Sequence, residues 1–133
     1  VVTTPDYPTL SCSLRAAQLA KQRGRPIDGI IMNKIRDPGY ELTLNEIEDA
    51  IEVPVVARIP DDKKNVRALF MRIPTSIYNR RAKFSREISR LSAALTGAKE
   101  KRFLSGLLFG KNVRREQVNR QVLKESFYSS RFS

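Results

Sequence analysis

The sequence predicts an α/β protein with a partial doubly wound, mostly parallel sheet. Short apolar runs rich in valine and isoleucine alternate with helix-length segments, and proline, glycine or polar residues bound each run. Strands that helices cover on both faces have this apolar character. With 133 residues, the chain is long enough for one compact domain and a tail, but not for two independent cores.

Three strands are expected, at Val1–Thr4, Ile27–Asn33 and Val55–Ile59. Between the first two, Thr9–Arg23 is rich in alanine, leucine and basic residues, which favours a helix ending at Gly24. After the second strand, Thr43 and Glu46 have the spacing of a capping box, which predicts a short helix reaching about Ile51.

Two further helices are expected after the third strand. Asn65–Met71 has the length of two helical turns, and Gly97 would end a longer helix with an apolar stripe. The stripe consists of Phe84, Ile88, Leu91 and Leu95. Three strands with three or four helices make up half of a doubly wound domain, so the chain is expected to be a fragment.

Composition excludes several classes of chemistry. The chain has no histidine, which removes serine-histidine and cysteine-histidine nucleophile pairs and histidine-bound zinc. Its single cysteine, Cys12, cannot form an internal disulfide, which favours a reducing compartment. No apolar run reaches the length of a membrane span, and the net charge of +11 predicts a strongly cationic surface.

Charge also divides the chain into residues 1–97, expected to form the α/β unit, and a tail at residues 98–133. The tail has 9 basic and 3 acidic residues, against 16 and 11 in the first part. Its apolar residues beyond position 112 are too sparse to bury much area, which predicts a helical or disordered appendage.

Polar residues at the strand ends are the candidates for ligand binding, because ligands collect beyond the carboxyl ends of parallel strands. Asn33 offers an amide that suits the edge of a purine, although asparagine also commonly caps a strand into a loop. Pro60 and Asp61 follow the third strand, where they could equally form an ordinary turn. A phosphate-binding glycine loop is missing: Gly106–Asn112 has the wrong spacing and no preceding strand.

Four strings in this order resemble the MinD/ParA family of deviant Walker P-loop ATPases, nearest to archaeal MinD-like proteins. They are Thr3–Asp6, Ile30–Lys34, Val53–Asp62 and Asn65–Arg67, followed by the last amphipathic helix. The resemblance covers residues 1–97 and corresponds to the C-terminal half of the family's fold. It implies a homodimer that closes around ATP and magnesium, and a role in placing the division site or other cargo.

The resemblance also implies roles for single residues. Asn33 would face the adenine edge, Pro60 and Asp61 would line the other side of the base, and Asp6 would lie near the dimer interface. The family's phosphate-loop lysines, magnesium ligands and catalytic aspartate precede this part, so the chain itself is expected to bind no nucleotide tightly. Cys12 and Leu14 stand where the activator MinE meets acidic residues, which argues against a MinE-like partner.

Residues 99–111 are similar to the amphipathic membrane-targeting helix with which MinD proteins often end. Phe103, Leu104, Leu107 and Leu108 would form its apolar arc, although the same residues could instead dock on the domain's own surface or remain disordered. Reversible binding to an anionic membrane would make the protein cytoplasmic and peripheral at the inner face of the membrane.

Two other functions fit the same residues. Six cations between positions 72 and 90 are compatible with nonspecific DNA binding of the kind that ParA proteins show, and with a merely solvated helix face. They are Arg72, Arg80, Arg81, Lys83, Arg86 and Arg90. The chain could also be a non-enzymatic scaffold that has lost the ATPase half.

Overall fold

The computed structural model describes residues 1–25, 27–36, 39–98 and 114–129, with side chains described as far as residue 126. The strands are β1 (Val2–Thr3), β2 (Ile30–Ile35) and β3 (Val55–Pro60). The helices are α1 (Tyr7–Gln22), α2 (Leu44–Ile51), α3 (Lys63–Phe70), α4 (Thr75–Tyr78), α5 (Lys83–Thr96) and α6 (Arg115–Ser129). The strands lie in the order β1-β2-β3 and pair in parallel. The predicted α/β class with a parallel sheet is therefore confirmed.

Helix ends follow the local chemistry of the sequence. Thr43 and Glu46 form the predicted capping box of α2, with Thr43 N donating to the Glu46 carboxylate over 2.7 Å. Gly97 adopts a left-handed conformation at the end of α5, as predicted. The first helix begins earlier than expected, at Tyr7, because the carboxylate of Asp6 accepts a hydrogen bond from Thr9 N over 2.9 Å.

The middle strand is shifted along the chain relative to its prediction. The expected strand Ile27–Asn33 becomes Ile30–Ile35, and its pairing with β3 is irregular between Met32 and Ile35. Gly29 lies just before the strand, where a Cβ atom would stand 2.7 Å from Val56 Cγ1. Any other residue at this position would force the Val56 side chain or the backbone to shift.

Two core clusters form, and both include residues of the sheet. The first joins Leu10 and Ala17 of α1 to Met32 of β2 and Ile47 of α2. The second joins Val56 and Ala57 of β3 to Leu91 of α5 and Leu123 of α6, with Ile31 of β2 packed against it. Because Ile31 and Met32 alternate along β2, the two clusters lie on opposite faces of the sheet, as in a doubly wound domain.

The last two helices bury polar groups as well as apolar ones. On α5, Leu91 is buried as expected, but Leu95 from the predicted stripe is 47% exposed and Glu87 is buried instead. On α6, Leu123 is buried while Val118 and Val122 stay exposed. Helix α6 therefore packs against β3 and α5, although the chain beyond residue 112 has few apolar residues. The division of the chain at residue 97 remains a prediction.

Among the described residues, none of the helices is long and apolar enough to cross a membrane. The predicted amphipathic segment 99–111, with Phe103, Leu104, Leu107 and Leu108, lies outside the described residues.

Candidate functional site

The carboxyl ends of the three strands meet at one edge of the sheet. Thr4 and Asp6 follow β1, Asn33 and Lys34 belong to the last part of β2, and Pro60 is the last residue of β3. Ile35 pairs with Pro60, so the end of β2 lies beside the end of β3. The fold therefore places Asp6, Asn33, Pro60 and Asp61 on the same edge.

The side chain of Asn33 makes a hydrogen bond within an irregular turn of β2. Its Oδ1 accepts a hydrogen bond from Lys34 N over 2.9 Å, and Lys34 has a φ of 56°, in the left-handed region. A residue with a Cβ atom is strained in this conformation, so the amide compensates part of the cost. The Nδ2 group has no partner among the described residues, and the side chain is half-buried.

Asp61 is engaged on both sides by β2 and the loop that follows it. Its backbone N–H donates to Ile35 O over 2.9 Å, and its Oδ2 accepts from Arg36 Nε over 2.7 Å. This hydrogen bond raises the pKa of Arg36 above its ordinary value. Pro60 is half-buried directly beside the pair. Only the carboxylate and the carbonyl of Asp61 remain for a ligand, because its N–H is already used.

Asp6 is the N-cap of α1. A hydrogen bond from the Thr4 hydroxyl, together with those from the backbone and hydroxyl of Thr9, lowers the pKa of Asp6 below its ordinary value. Burial opposes this only slightly, because the side chain is exposed. The carboxylate is thus ionised and fixed in direction at neutral pH.

A cleft of about 560 Å³ opens between the ends of β1 and β2. It is lined by Thr4, Pro5, Asp6, Tyr7, Pro8, Lys34, Arg36, Tyr40, Glu41 and Leu42. Two exposed aromatic rings and two cations therefore surround one opening. Of the predicted site residues, Asp6 lines this cleft, whereas Asn33, Pro60 and Asp61 do not. Arg36 and Tyr40 were not predicted from the sequence as residues of this site. The alternation of Lys34 and Arg36 at a strand end was the signal available.

A second polar cluster lies at the opposite end of β3. Glu48 of α2 accepts at Oε1 from Val55 N over 2.7 Å and from Asn119 Nδ2 over 2.7 Å. Arg115 Nε lies 2.8 Å from Glu48 Oε2. Asn119 also donates to Val55 O over 2.9 Å, so α6 is attached to the backbone at the start of β3.

The same helix makes a buried ion pair with α5. The Arg120 side chain is 6% exposed; it donates to Val56 O over 3.0 Å and to the carboxylate of Glu87. Glu87 also lies 3.5 Å from Arg90. A groove of about 270 Å³ runs beside this pair, between α5 and α6. Because these charges are paired, the cluster is organised for holding α6.

Comparison with known proteins finds similarity to an ATP-binding protein and to solved structures of ATPases. An uncharacterized ATP-binding protein of Methanocaldococcus jannaschii is 30% identical over 99 residues, which are 74% of this chain and 38% of that protein. The ParA family ATPase of Chlorobium tepidum is 28% identical with a TM-score of 0.57, over 65% of this chain and 36% of that one. The cell division ATPase MinD of Pyrococcus furiosus is 25% identical with a TM-score of 0.59, over 64% and 36%.

These matches confirm the resemblance to MinD and ParA ATPases that the strand-end motifs predicted. The chain spans little more than a third of the length of the proteins that it matches. No family model matches the sequence.

Proposed function

We propose that this chain, which shares its fold with part of the MinD and ParA ATPases, forms the base-facing side of an ATP site in a MinD-like ATPase. The whole protein would place the division site or other cargo and would bind the membrane reversibly. The observation that supports this most is the meeting of Asn33, Pro60 and Asp61 at one sheet edge in a fold shared with ATP-binding relatives.

The residues at this edge fit an adenine base. Asn33 Nδ2 has no partner in the part of the chain that the structure describes and can donate to a ring nitrogen, while Oδ1 has a second lone pair for an exocyclic amine. Pro60 offers an apolar surface beside it. Asp61 can accept from the same amine only through its carboxylate or carbonyl oxygens, because its N–H bonds to Ile35 O.

The described residues offer the phosphate groups of a nucleotide fewer partners than they offer its base. Lys34 and Arg36 are exposed cations on the cleft, and Arg36 is already paired with Asp61. ATP with magnesium supplies a hydrolysable phosphate bond, and the residues that would act on it come from the part of the family fold that this chain does not match. We therefore expect weak binding of adenine nucleotides by the chain.

The contribution of Asn33 to adenine binding is tested in a background that preserves the turn at Lys34. Asn33→Ala is made in a Lys34→Gly background, because glycine adopts the left-handed conformation without the side-chain cap. We expect Lys34→Gly to bind adenosine like the parent and the double variant to lose the interaction. Equal binding by both proteins in a saturation-transfer NMR titration would remove Asn33 from the base site.

Nucleotide-dependent homodimerisation belongs to the same proposal. Asp6 lies on the exposed edge of the cleft, with its carboxylate held by Thr4 and Thr9. Asp6→Asn preserves the N-cap and removes the charge. If Asp6 lies at the dimer interface, this variant changes the dimer fraction of the ATP-loaded whole protein in analytical ultracentrifugation. An unchanged fraction would contradict the assignment.

Residues 99–111 are proposed as the membrane segment. Four large apolar side chains give weak insertion, and two copies in a dimer would bind more strongly through avidity. Leu107→Glu should lower cosedimentation with anionic vesicles, whereas Val122→Glu, at an exposed position on α6, should not. Equal binding by the parent and Leu107→Glu would contradict the membrane role of this segment.

DNA binding of the ParA kind is the second candidate. It is favoured by one observation: residues 63–86 include eight basic and no acidic side chains. Binding would be directed at phosphates and would weaken steeply with salt. Gel shifts over a salt series test this, and no shift at low salt would exclude it.

A further inference from the structure

The α3–α4 segment exposes an unusual number of large apolar side chains. They are Val66 (48% exposed), Leu69 (75%), Phe70 (82%), Met71 (51%), Ile73 (37%) and Ile77 (67%). Twelve consecutive residues thus contain six of the fourteen exposed large hydrophobic residues in the described part of the chain. Such a cluster marks an interaction site far more often than isolated exposed leucines do.

The segment is folded and hydrogen-bonded to its neighbours, so these side chains protrude from an ordered backbone. Ala68, on the inner side of α3, is fully buried. The Thr75 hydroxyl donates to the Asn65 side chain, which joins α4 to α3. Ser85 Oγ donates to Asn79 O over 2.7 Å and to Thr75 O over 3.1 Å, which joins α4 to α5.

Cations surround the apolar side chains. Residues 63–86 contain no aspartate or glutamate and eight basic residues, namely Lys63, Lys64, Arg67, Arg72, Arg80, Arg81, Lys83 and Arg86. All eight are exposed, and none forms an ion pair with another residue that the structure describes. The partner of this surface must therefore be both anionic and able to take up apolar groups.

We propose that the basic apolar surface, defined as the exposed apolar and basic side chains of residues 63–86, docks on an anionic lipid membrane. Leu69, Phe70 and Ile77 would enter the headgroup region while the cations contact lipid phosphates. Nucleic acid would satisfy the cations but leave these apolar groups in water. A peptide would need a groove, whereas Phe70 and Leu69 protrude. The proposal is independent of residues 99–111.

The absence of tryptophan from the chain allows a site-specific test. Phe70→Trp places a fluorophore in the proposed surface, and Leu19→Trp, at a 51% exposed position on α1, is the matched control. Both are made with Leu107→Glu, which disables the other proposed membrane segment. The probe is vesicles of equal parts phosphatidylcholine and phosphatidylglycerol, with brominated lipid as the quencher.

We expect the emission of the Phe70→Trp protein to shift to the blue and to be quenched by brominated lipid. The Leu19→Trp protein should show neither change. Phe70→Ser should lower vesicle affinity about tenfold, whereas Val122→Ser on α6 should not change it.

Several outcomes would overturn the inference. They are unchanged emission at position 70 while the protein sediments with vesicles, a blue shift with duplex DNA instead, and a concentration-dependent shift without lipid, which would indicate a second copy of the chain. If the tryptophan-free chain bound vesicles only through Leu107, the inference would fail and the proposed membrane segment would stand. If Phe70→Ser reduced vesicle binding and Leu107→Glu did not, the inference would stand and the membrane role of residues 99–111 would fail.

Discussion

The two ends of β3 use polar residues in opposite ways. At its start, Glu48, Asn119 and Arg115 make a network that holds α6, and Arg120 lies buried beside it with Glu87. At its carboxyl end, Asp61 and Arg36 form a partly exposed pair next to an open cleft. The first arrangement leaves little free for a ligand, whereas the second leaves amide, carboxylate and ammonium groups on the surface.

The difference separates charges that hold a helix in place from charges that remain accessible to a ligand. Buried charges require nearly complete pairing because their desolvation is costly, so they fix one position of α6. Exposed groups at the sheet edge cost little to leave unpaired and stay available for binding. Variants at the two ends should therefore affect different measurements.

The largest effect on stability is expected at the buried ion pair. Arg120→Ala leaves the carboxylate of Glu87 with Arg90, at 3.5 Å, as its one ion-pair partner among the described residues, and removes the donor to Val56 O. We expect a loss of about 3 kcal/mol in urea unfolding. The double variant Glu87→Met with Arg120→Met should recover most of it. A loss below about 1 kcal/mol for Arg120→Ala would show that α6 is not held by this pair.

A smaller loss is expected at the neighbouring carboxylate. Glu48→Ala leaves Val55 N, at the start of β3, without its acceptor and leaves Asn119 Nδ2 with Val55 O alone of its two acceptors, which should cost about 2 kcal/mol. Asp49→Ala, at the next and exposed position of α2, is the control and should change stability little. Equal effects of the two variants would contradict the network.

The N-cap of α1, at the carboxyl end of β1, should make the stability of the chain depend on pH in the acid range. The pKa of Asp6 is lowered by its hydrogen bonds, so its contribution to stability is complete above the ordinary carboxyl pKa near 4 and is lost as the pH falls through the folded-state value. Asp6→Ala should cost about 1 kcal/mol at neutral pH. Asp6→Asn should retain the cap and flatten the acid dependence of the melting temperature. An unchanged dependence would contradict this assignment.

A gain in stability, similar in size to the loss expected for Asp6→Ala, is expected at the strained turn of β2. Lys34 has a φ of 56°, so Lys34→Gly should stabilise the chain by about 1 kcal/mol. Lys64→Gly, inside α3, should instead destabilise it by a similar amount. Destabilisation by Lys34→Gly in the same urea titration would show that the lysine side chain matters more than the backbone.

Local patterns in the sequence predicted much of the fold, because caps and apolar runs act over a few residues. The capping box at Thr43 and the left-handed Gly97 are examples. Docking of α6 could not be predicted in this way, since it depends on Arg120 meeting Glu87 across 33 positions. A count of apolar residues includes only Leu123 from this contact, and so it underestimates how firmly α6 is held.

For the candidate site too, single residues could be predicted from the sequence, but the contacts between them could not. Strand-end residues such as Asn33 can be identified once the strands are placed. The pairing of Arg36 with Asp61 depends on the register of β2 against β3, and an irregularity shifts that register between Met32 and Ile35. No local pattern in the sequence indicates such an irregularity, so the use of the Asp61 N–H by Ile35 O was not foreseen.

On the proposed function, the carboxyl edge of the sheet faces the base of a nucleotide. The most direct measurement is a titration of the labelled chain with adenosine and ATP, followed through backbone amide chemical shifts. We expect shifts confined to Asn33, Lys34, Arg36 and Asp61 with both ligands, and none on α6. Shifts confined to the groove at Arg90, Arg120 and Lys124, or none at the sheet edge at saturating adenosine, would contradict the account.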